Sequence, residues 1–257
     1  MSENDFEISE DGIITRYTGT ETEVVIPQEI HGIAVRVIGE EAFYKKDLTN
    51  IVIPESVMQI RFYAFANNRL INIVIPDNVT EIGTHAFSYN ELTAITLPNR
   101  VRKIGYYAFA FNELTEVIIP DSVNEIGESA FAFNQLAELA IPKSITKIDV
   151  GVFLYNKLTL LAIPEGVTEI GRQAFLNNQL TNVVIPNSIT KIGSEAFAYN
   201  KVNTITIYGK VSLPRKNQNP AFDNGFDDFY KSKKRSGTHL NPLVGLFDGK
   251  EWSIKDE

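Results

Sequence analysis

Apolar positions recur with one fixed period along most of the chain. Eight phenylalanines stand 22 residues apart, at Phe43, Phe65, Phe87, Phe109, Phe131, Phe153, Phe175 and Phe197. Prolines keep the same spacing from Pro54 to Pro186, and asparagines keep it from Asn68 to Asn200. A period in the low twenties is typical of a solenoid, whose coils bury their apolar faces only by stacking on one another.

Each repeat predicts two short strands followed by a turn, as in residues 114–134. Residues 114–120 (LTEVIIP) follow the spacing LxxLxL, and the proline ends the first strand because it cannot donate to a ladder. Residues 121–127 (DSVNEIG) predict a second strand that ends at a glycine. Residues 128–134 (ESAFAFN) bring a small residue and a large ring inward and close the coil at an asparagine. We expect about eight right-handed coils with parallel strands and short helical turns.

Two further rows follow the same period. The asparagines from Asn68 to Asn200, here called the Asn row, are predicted to bond the backbone of their own and neighbouring coils, because an amide both donates and accepts. A second row alternates in charge and predicts a ladder of surface ion pairs between stacked coils. Its members are Glu81, Lys103, Glu125, Lys147, Glu169 and Lys191.

Three domains are predicted. Residues 1–26 form an N-terminal cap, in which residues 13–17 and 23–26 are expected to pair as a hairpin. Residues 27–208 form the solenoid. Residues 209–257 form a C-terminal cap, with a short helix in 220–236 and a hairpin that turns at Asp248-Gly249. Caps are expected because the terminal coils of a solenoid need covering.

Composition excludes several classes of function. The net charge of −8 and the pI near 5.1 speak against a nucleic-acid partner, which needs a concentrated basic surface. The absence of cysteine excludes disulfides, thiolate-bound zinc and a thiol nucleophile. The longest apolar stretches, such as 158–163, are far below the roughly 20 residues of a transmembrane helix, so no membrane insertion is expected. The acidic amino terminus predicts no export signal in the sequence as written.

The sequence contains no catalytic motif. The three histidines, His31, His85 and His239, have no ligand spacing, and His85 is expected at an exposed, variable position of its repeat. Phosphate-binding loops and GxSxG or GxGxxG motifs do not occur. We therefore predict a protein that is not an enzyme and that has neither a cofactor nor a metal.

The repeat resembles a known family. Its consensus, LTxVxIPxSVTxIGxxAFxxN, is similar to the bacterial BspA-like class of leucine-rich repeats over roughly residues 24 to 208. This chain differs in having 22-residue units where the family often has 23, and asparagine where the family often has cysteine. The resemblance implies a β-dominated leucine-rich-repeat solenoid and a surface or secreted binding module without catalytic residues.

Two rows are candidates for partner binding. The position two residues after the periodic Phe is aromatic in five coils and is interrupted by Asn67 and Asn177. The aromatic row consists of Tyr89, Phe111, Phe133, Tyr155 and Tyr199. It is either an edge ladder that packs on itself or a contact strip. The outward positions of the first strands form the sheet stripe, which consists of Val52, Val74, Thr96, Ile118, Ala140, Ala162, Val184 and Thr206. Val74, Ile118 and Val184 are its candidate contact residues.

The predicted function is a non-catalytic binding scaffold, bacterial and at the cell surface or secreted, that engages a protein or glycan partner. The alternative is a structural or assembly element, or an intracellular interaction module. The sequence names neither the ligand nor the oligomeric state.

Overall fold

A computed structural model describes residues 2–214, 219–228, 230, 243–247 and 252–254. The chain divides into two units, Met1–Gln135 and Leu136–Glu257. Each unit is a β-solenoid with parallel strands, as predicted. Helical backbone in the described residues occurs at the 3-10 turn Glu3–Asp5, at 226–228 and at Tyr230.

The first unit contains thirteen described strands. They are β1 (Phe6–Ile8), β2 (Ile13–Tyr17), β3 (Glu23–Val25), β4 (Glu29–Ile30), β5 (Ile33–Ala34), β6 (Val37–Ile38), β7 (Asn50–Val52), β8 (Gln59–Ile60), β9 (Glu81–Ile82), β10 (Ala94–Thr96), β11 (Lys103–Ile104), β12 (Glu116–Ile118) and β13 (Glu125–Ile126).

Two sets of parallel strands run through this unit. The Pro ladder consists of strands that lie just before the prolines, and it pairs β3 with β7 and β10 with β12. The Gly ladder consists of short strands on the other side of each coil, in the order β2-β6-β8-β9-β11-β13. Alternate residues of the Pro ladder point inward, so that its Ile and Val side chains are buried while their neighbours face solvent.

The second unit has the same organisation. Its described strands are β14 (Lys147–Ile148), β15 (Glu169–Ile170), β16 (Asn182–Ile185), β17 (Lys191–Ile192), β18 (Thr204–Ile207), β19 (Leu243–Phe247) and β20 (Trp252–Ile254). The Gly ladder is β14-β15-β17, and β16 pairs with β18 in the Pro ladder. The antiparallel strands β19 and β20 extend the latter sheet. They are the strands of the predicted hairpin, whose turn at Asp248-Gly249 lies outside the described residues.

Stacked phenylalanine rings form the core of each unit. Rings of successive coils in the first unit lie 5.1 to 5.5 Å apart, from Phe43 to Phe131. Those of the second unit lie 5.4 to 5.6 Å apart, from Phe153 to Phe197. The stack of each unit has one further member that the 22-residue period does not reveal. Tyr17 stacks on Phe43 at 5.4 Å, and Phe222 stacks on Phe197 at 4.9 Å.

The Asn row makes the backbone bonds that the sequence predicts. Asn112 is representative: its Oδ1 accepts from the backbone N–H of Leu92, and its Nδ2 donates to the carbonyls of Phe87 and Phe109. Leu92 and Phe87 belong to the preceding coil, so each asparagine joins two coils. Buried polar groups that are satisfied in this way hold the stacking distance without loss of stability.

Three local predictions are wrong. Residues 13–17 and 23–26 do not pair with each other, because β2 pairs with β1 and β6 whereas β3 pairs with β7. The physical reason is that residues 23–27 (EVVIP) repeat the Pro-ladder pattern, with Val24 and Ile26 buried, and so form the first strand of that ladder. The turns of the coils are not helical, since residues two before and two after each Phe, such as His85 and Tyr89, adopt left-handed φ angles of 56° and 55°.

The third wrong prediction concerns the start of the C-terminal helix. Residues 220–225 are not helical, and helical backbone begins at Phe226. Ala221 and Phe222 instead repeat the Ala-Phe pair of the coils: the N–H of Phe197 bonds the carbonyl of Ala221 as it would in a stacked coil. The coil pattern thus continues beyond residue 208, where the sequence places the boundary of the solenoid. The remainder of the predicted helix, residues 231–236, lies outside the described residues.

Candidate functional site

Three members of the aromatic row form a tight column in the first unit. The rings of Tyr89 and Phe111 are 4.4 Å apart and inclined by 6°, and those of Phe111 and Phe133 are 4.4 Å apart and inclined by 8°. Each ring therefore covers the face of its neighbour. What the column presents to solvent is mostly ring edges, which is the geometry of an edge ladder that packs on itself.

The remaining members lie in the second unit, where the structure does not stack them on each other. Tyr155 and Tyr199 are two coils apart, with Asn177 at the same position of the coil between them. Both tyrosines are exposed. The N–H of Tyr199 donates to the carboxylate of Asp223, which fixes the turn that carries it.

A second column of aromatic rings lies two residues before the periodic phenylalanines. The ring of His85 lies between those of Tyr63 and Tyr107, with centroid distances of 4.5 and 4.9 Å and inclinations of 7° and 1°. His85 is half-buried rather than exposed as expected, and its Nδ1 lies 3.1 Å from Ser88 Oγ. Burial lowers the pKa of His85 below its usual 6.5, because a protonated imidazole would lose hydration. The 22-residue spacing of these three side chains is the signal that could have revealed the column.

The sheet stripe is exposed in the first unit, where Val25, Val52 and Ile118 lie on strands of the Pro ladder and Val74 lies in a segment that forms no strand. Val74 is 79% exposed and Ile118 is 65% exposed. Val52 is also exposed, and it pairs in register with Val25, which continues the stripe to the first strand of the ladder. Thr96 lies next to Ile118 in the register of β10 and β12. Large apolar side chains left open on one face are typical of interaction surfaces.

The stripe is less apolar in the second unit. Val184 is 37% exposed and pairs in register with Thr206, and Ala140 bridges to Ala162. Small and polar side chains offer little apolar area for a partner to cover. Of the three candidate contact residues on the stripe, Val74 and Ile118 are thus on the more apolar part, and Val184 is on the less apolar part.

Acidic side chains border the stripe in the first unit. Glu23 and Glu116 lie on its strands, and Glu55, Asp77 and Asp121 follow its prolines; all five are exposed. The first unit as a whole has 20 acidic and 9 basic residues, whereas the second has 12 and 15. This asymmetry gives the first unit a negative field that favours cationic partners.

The alternating charged row is only partly paired. Lys103 Nζ lies 3.1 Å from Glu125 Oε1, and Lys191 Nζ lies 2.6 Å from Glu169 Oε1, as the predicted ladder requires. Lys147 instead forms an ion pair with Asp149 of its own coil, at 3.3 Å. The hydrogen bond and charge of Glu125 raise the pKa of Lys103. The two pairs that join different coils, Lys103–Glu125 and Lys191–Glu169, stabilise the stacking register by about 0.2–1 kcal/mol each.

Neither a metal-binding cluster nor a membrane-spanning helix occurs among the described residues. Across the described ranges, no three His, Cys, Asp or Glu side chains are grouped so that they could hold a metal ion. None of the described helical segments has the length and hydropathy of a membrane-spanning helix.

Comparison with known proteins agrees with this architecture. The family model described as BspA type leucine rich repeat region matches in six copies, over residues 36–159 and 146–224. A search of curated proteins finds no match.

The solved structures that are similar to the chain include two bacterial proteins. One is a leucine-rich-repeat protein of T. pallidum, with 28% identity and a TM-score of 0.55, over 77% of this chain and 88% of that one. The other is a leucine-rich cell surface protein of Faecalibacterium prausnitzii A2-165, with 32% identity and a TM-score of 0.54, over 83% of this chain. The chain spans about half of the latter protein, 55%. By its repeats and by the extent of the family match, the chain belongs to the BspA type leucine-rich-repeat family.

Proposed function

We propose that the chain is a non-catalytic interaction scaffold that binds a protein partner on the sheet stripe of its first unit. The leucine-rich-repeat family and the solenoid fold are typical of binding scaffolds without catalytic residues. The observation that carries the proposal is the exposed line of Val25, Val52, Val74 and Ile118. Covering each of these side chains would contribute about 1–2 kcal/mol of apolar burial.

The acidic border specifies the chemistry of the partner. A partner segment that covers the sheet stripe would lie next to five carboxylates. They are Glu23 and Glu116 on the strands, and Glu55, Asp77 and Asp121 after the prolines. Lysine or arginine beside the apolar contacts of the partner would therefore speed association and fix its orientation. We propose an extended polypeptide segment with alternating apolar and basic residues.

A glycan partner, the other class expected from the sequence, is less well supported. Sugar rings pack on the faces of aromatic side chains, and in the column of Tyr89, Phe111 and Phe133 neighbouring rings cover both faces of Phe111 and one face of Tyr89. This geometry favours the sheet stripe over the aromatic row as the binding surface.

The test is selection from a displayed library of random peptides on the full chain, with counter-selection on the triple variant V52T/V74T/I118T. Threonine already occupies this row at Thr96, so the variant keeps the strand preference of the ladder while losing apolar area. Enriched peptides that combine apolar and basic residues and bind only the unaltered protein support the proposal. Peptides that bind both proteins equally refute it.

We also propose a location at the surface of a bacterial cell, by likeness to the F. prausnitzii protein that is described as a cell surface protein. Brief protease treatment of intact cells should degrade the protein while a cytoplasmic marker survives. Full protection until lysis would favour an intracellular interaction module instead.

An assembly element, the second candidate function, would use the same exposed stripe to join copies of the chain. Sedimentation velocity at several concentrations distinguishes the two functions. A species whose mass rises with concentration, and returns to monomer in V52T/V74T/I118T, would favour assembly.

A further inference from the structure

The row of glycines that follows the strands of the Gly ladder in the first unit is broken at one position. The residue that follows its second-strand isoleucine is glycine at Gly39, Gly83, Gly105 and Gly127, but it is arginine at Arg61. At the glycine positions adjacent backbones approach closely: a Cβ on Gly83 would lie 2.7 Å from the carbonyl carbon of Arg61. In this unit, the coil of Arg61 is thus the one that has a long cationic side chain at this position of the ladder.

A cavity of about 330 Å³ lies beside Arg61. Its lining includes Glu40, Arg61, Phe62, Glu81 and Gly83, all within the first unit. The volume is at the lower end of the range of about 300–1,000 Å³ that small-molecule sites occupy. A ligand of a dozen or so non-hydrogen atoms is the size that this concavity accommodates.

The charged groups of the lining are not paired with one another. Arg61, Glu40 and Glu81 form no ion pair in the part of the chain that the structure describes, so the guanidinium lies more than 4.0 Å from either carboxylate. The negative charge of Glu81 helps to raise the pKa of Lys103, but the ion-pair partner of Lys103 is Glu125. The cavity therefore offers one cation and two anions that a ligand with both charges can bridge.

The apolar wall of the cavity is held in place by the second aromatic column. Phe62 is 38% exposed, and its ring packs on that of Tyr63 at 4.2 Å and 84°. Tyr63 is fixed in turn by its stacking on His85. A ring positioned in this way is a preorganised surface for an apolar side chain.

We propose that this cavity binds a small zwitterion, a free α-amino acid with an apolar side chain. The ligand carboxylate bonds the Arg61 guanidinium, whose fork of donors matches a carboxylate. The ligand ammonium lies between Glu40 and Glu81, and the side chain rests on Phe62. An internal residue of a polypeptide has neither charge, so the site selects the free amino acid.

The first test is calorimetric titration of the full chain with L-phenylalanine and L-leucine. Two blocked probes separate the two charges: N-acetyl-L-phenylalanine lacks the ammonium, and L-phenylalaninamide lacks the carboxylate. We expect saturable binding of the free amino acids and at least tenfold weaker binding of both blocked probes. Absence of binding by either free amino acid up to about 10 mM overturns the proposal.

The second test assigns the site to its residues. Arg61→Gly introduces the glycine that the neighbouring coils have, and this variant should bind the free amino acids at least tenfold more weakly. Glu81→Gln introduces the residue that the preceding coil has at the same position, Gln59, and it should also weaken binding. Glu128→Gln is the control for the loss of one carboxylate, because Glu128 is an exposed glutamate of the same unit that does not line the cavity. Binding that survives both R61G and E81Q, in proteins that melt like the parent, overturns the assignment. An equal loss in E128Q overturns it as well.

Discussion

Replacing one member of the Asn row tests how the coils are joined. In Asn112→Leu, the buried N–H of Leu92 loses its acceptor, the Oδ1 of Asn112 at 3.1 Å. The carbonyls of Phe87 and Phe109 lose one donor each, but each keeps a second asparagine, Asn90 for Phe87 and Asn134 for Phe109. The orphaned N–H is therefore the larger loss.

The expected cost follows from this inventory. An unsatisfied buried donor costs about 1–3 kcal/mol, and each bond lost to a carbonyl that remains bonded costs about 0.5 kcal/mol. The free energy of unfolding of the first unit should fall by about 3 kcal/mol in N112L. The matched control is Asn124→Leu, since Asn124 is exposed in the same unit and its replacement should change stability by less than about 0.5 kcal/mol.

Two measurements check the prediction. Urea unfolding followed by circular dichroism gives the free energies, and amide hydrogen exchange reports the bond itself. The amide of Leu92 should exchange faster in N112L, while that of Leu70, whose acceptor is Asn90, should keep its protection. Stability within about 0.5 kcal/mol of the parent together with unchanged protection at Leu92 would refute the role assigned to the Asn row.

Three further predictions concern stability. Gly105→Ala should destabilise by about 1–3 kcal/mol, because its Cβ would lie 2.5 Å from the amide nitrogen of Thr84; Gly166→Ala, with its nearest atom at 3.4 Å, should be nearly neutral in urea unfolding. Lys103→Gln should lower the free energy of unfolding by about 0.2–1 kcal/mol. Because the pKa of Lys103 is raised in the folded state, the stabilisation by the Lys103–Glu125 pair is complete below the unfolded pKa and is lost as pH rises through the folded pKa. The lowered pKa of His85 has the opposite effect on stability. The stabilisation by neutral His85 is complete above pH 6.5 and is lost as pH falls through the pKa of His85 in the folded state. Urea midpoints from pH 8 to 5 should lose this dependence in His85→Tyr, and an unchanged dependence would contradict the assignment.

The periodic part of the fold could be predicted from the sequence because each of its interactions repeats at the same interval. The bonds of Asn112 and the stacking of Phe87 on Phe109 need only the next coil in register. Tyr17 and Phe222 were missed because they stand 26 and 25 residues from their stacking partners. The hairpin of β4 and β5, which turns at His31-Gly32 with φ angles of 52° and 76°, lengthens the first of these intervals.

The candidate site was predictable only in outline. Strand alternation placed Val74 and Ile118 on the outward face, and the structure leaves both exposed. The sequence pattern could not predict whether the rings of Tyr89 and Phe111 expose their faces or their edges to solvent, because the ring orientation depends on side-chain torsions rather than on spacing. Nor could it predict that Lys147 pairs with Asp149, since the competing partner lies in the same coil at a position where the consensus has glycine.

The most direct test of the account compares its two candidate surfaces in one binding measurement. The affinity of an enriched peptide is measured for the parent chain, for V52T/V74T/I118T and for Y89N/F111N/F133N, in which asparagine occupies the left-handed position that it already holds at Asn67 and Asn177. We predict that the sheet-stripe variant loses at least tenfold in affinity while the aromatic-row variant binds like the parent. Loss of binding in the aromatic-row variant, with the sheet-stripe variant unaffected, would contradict the account.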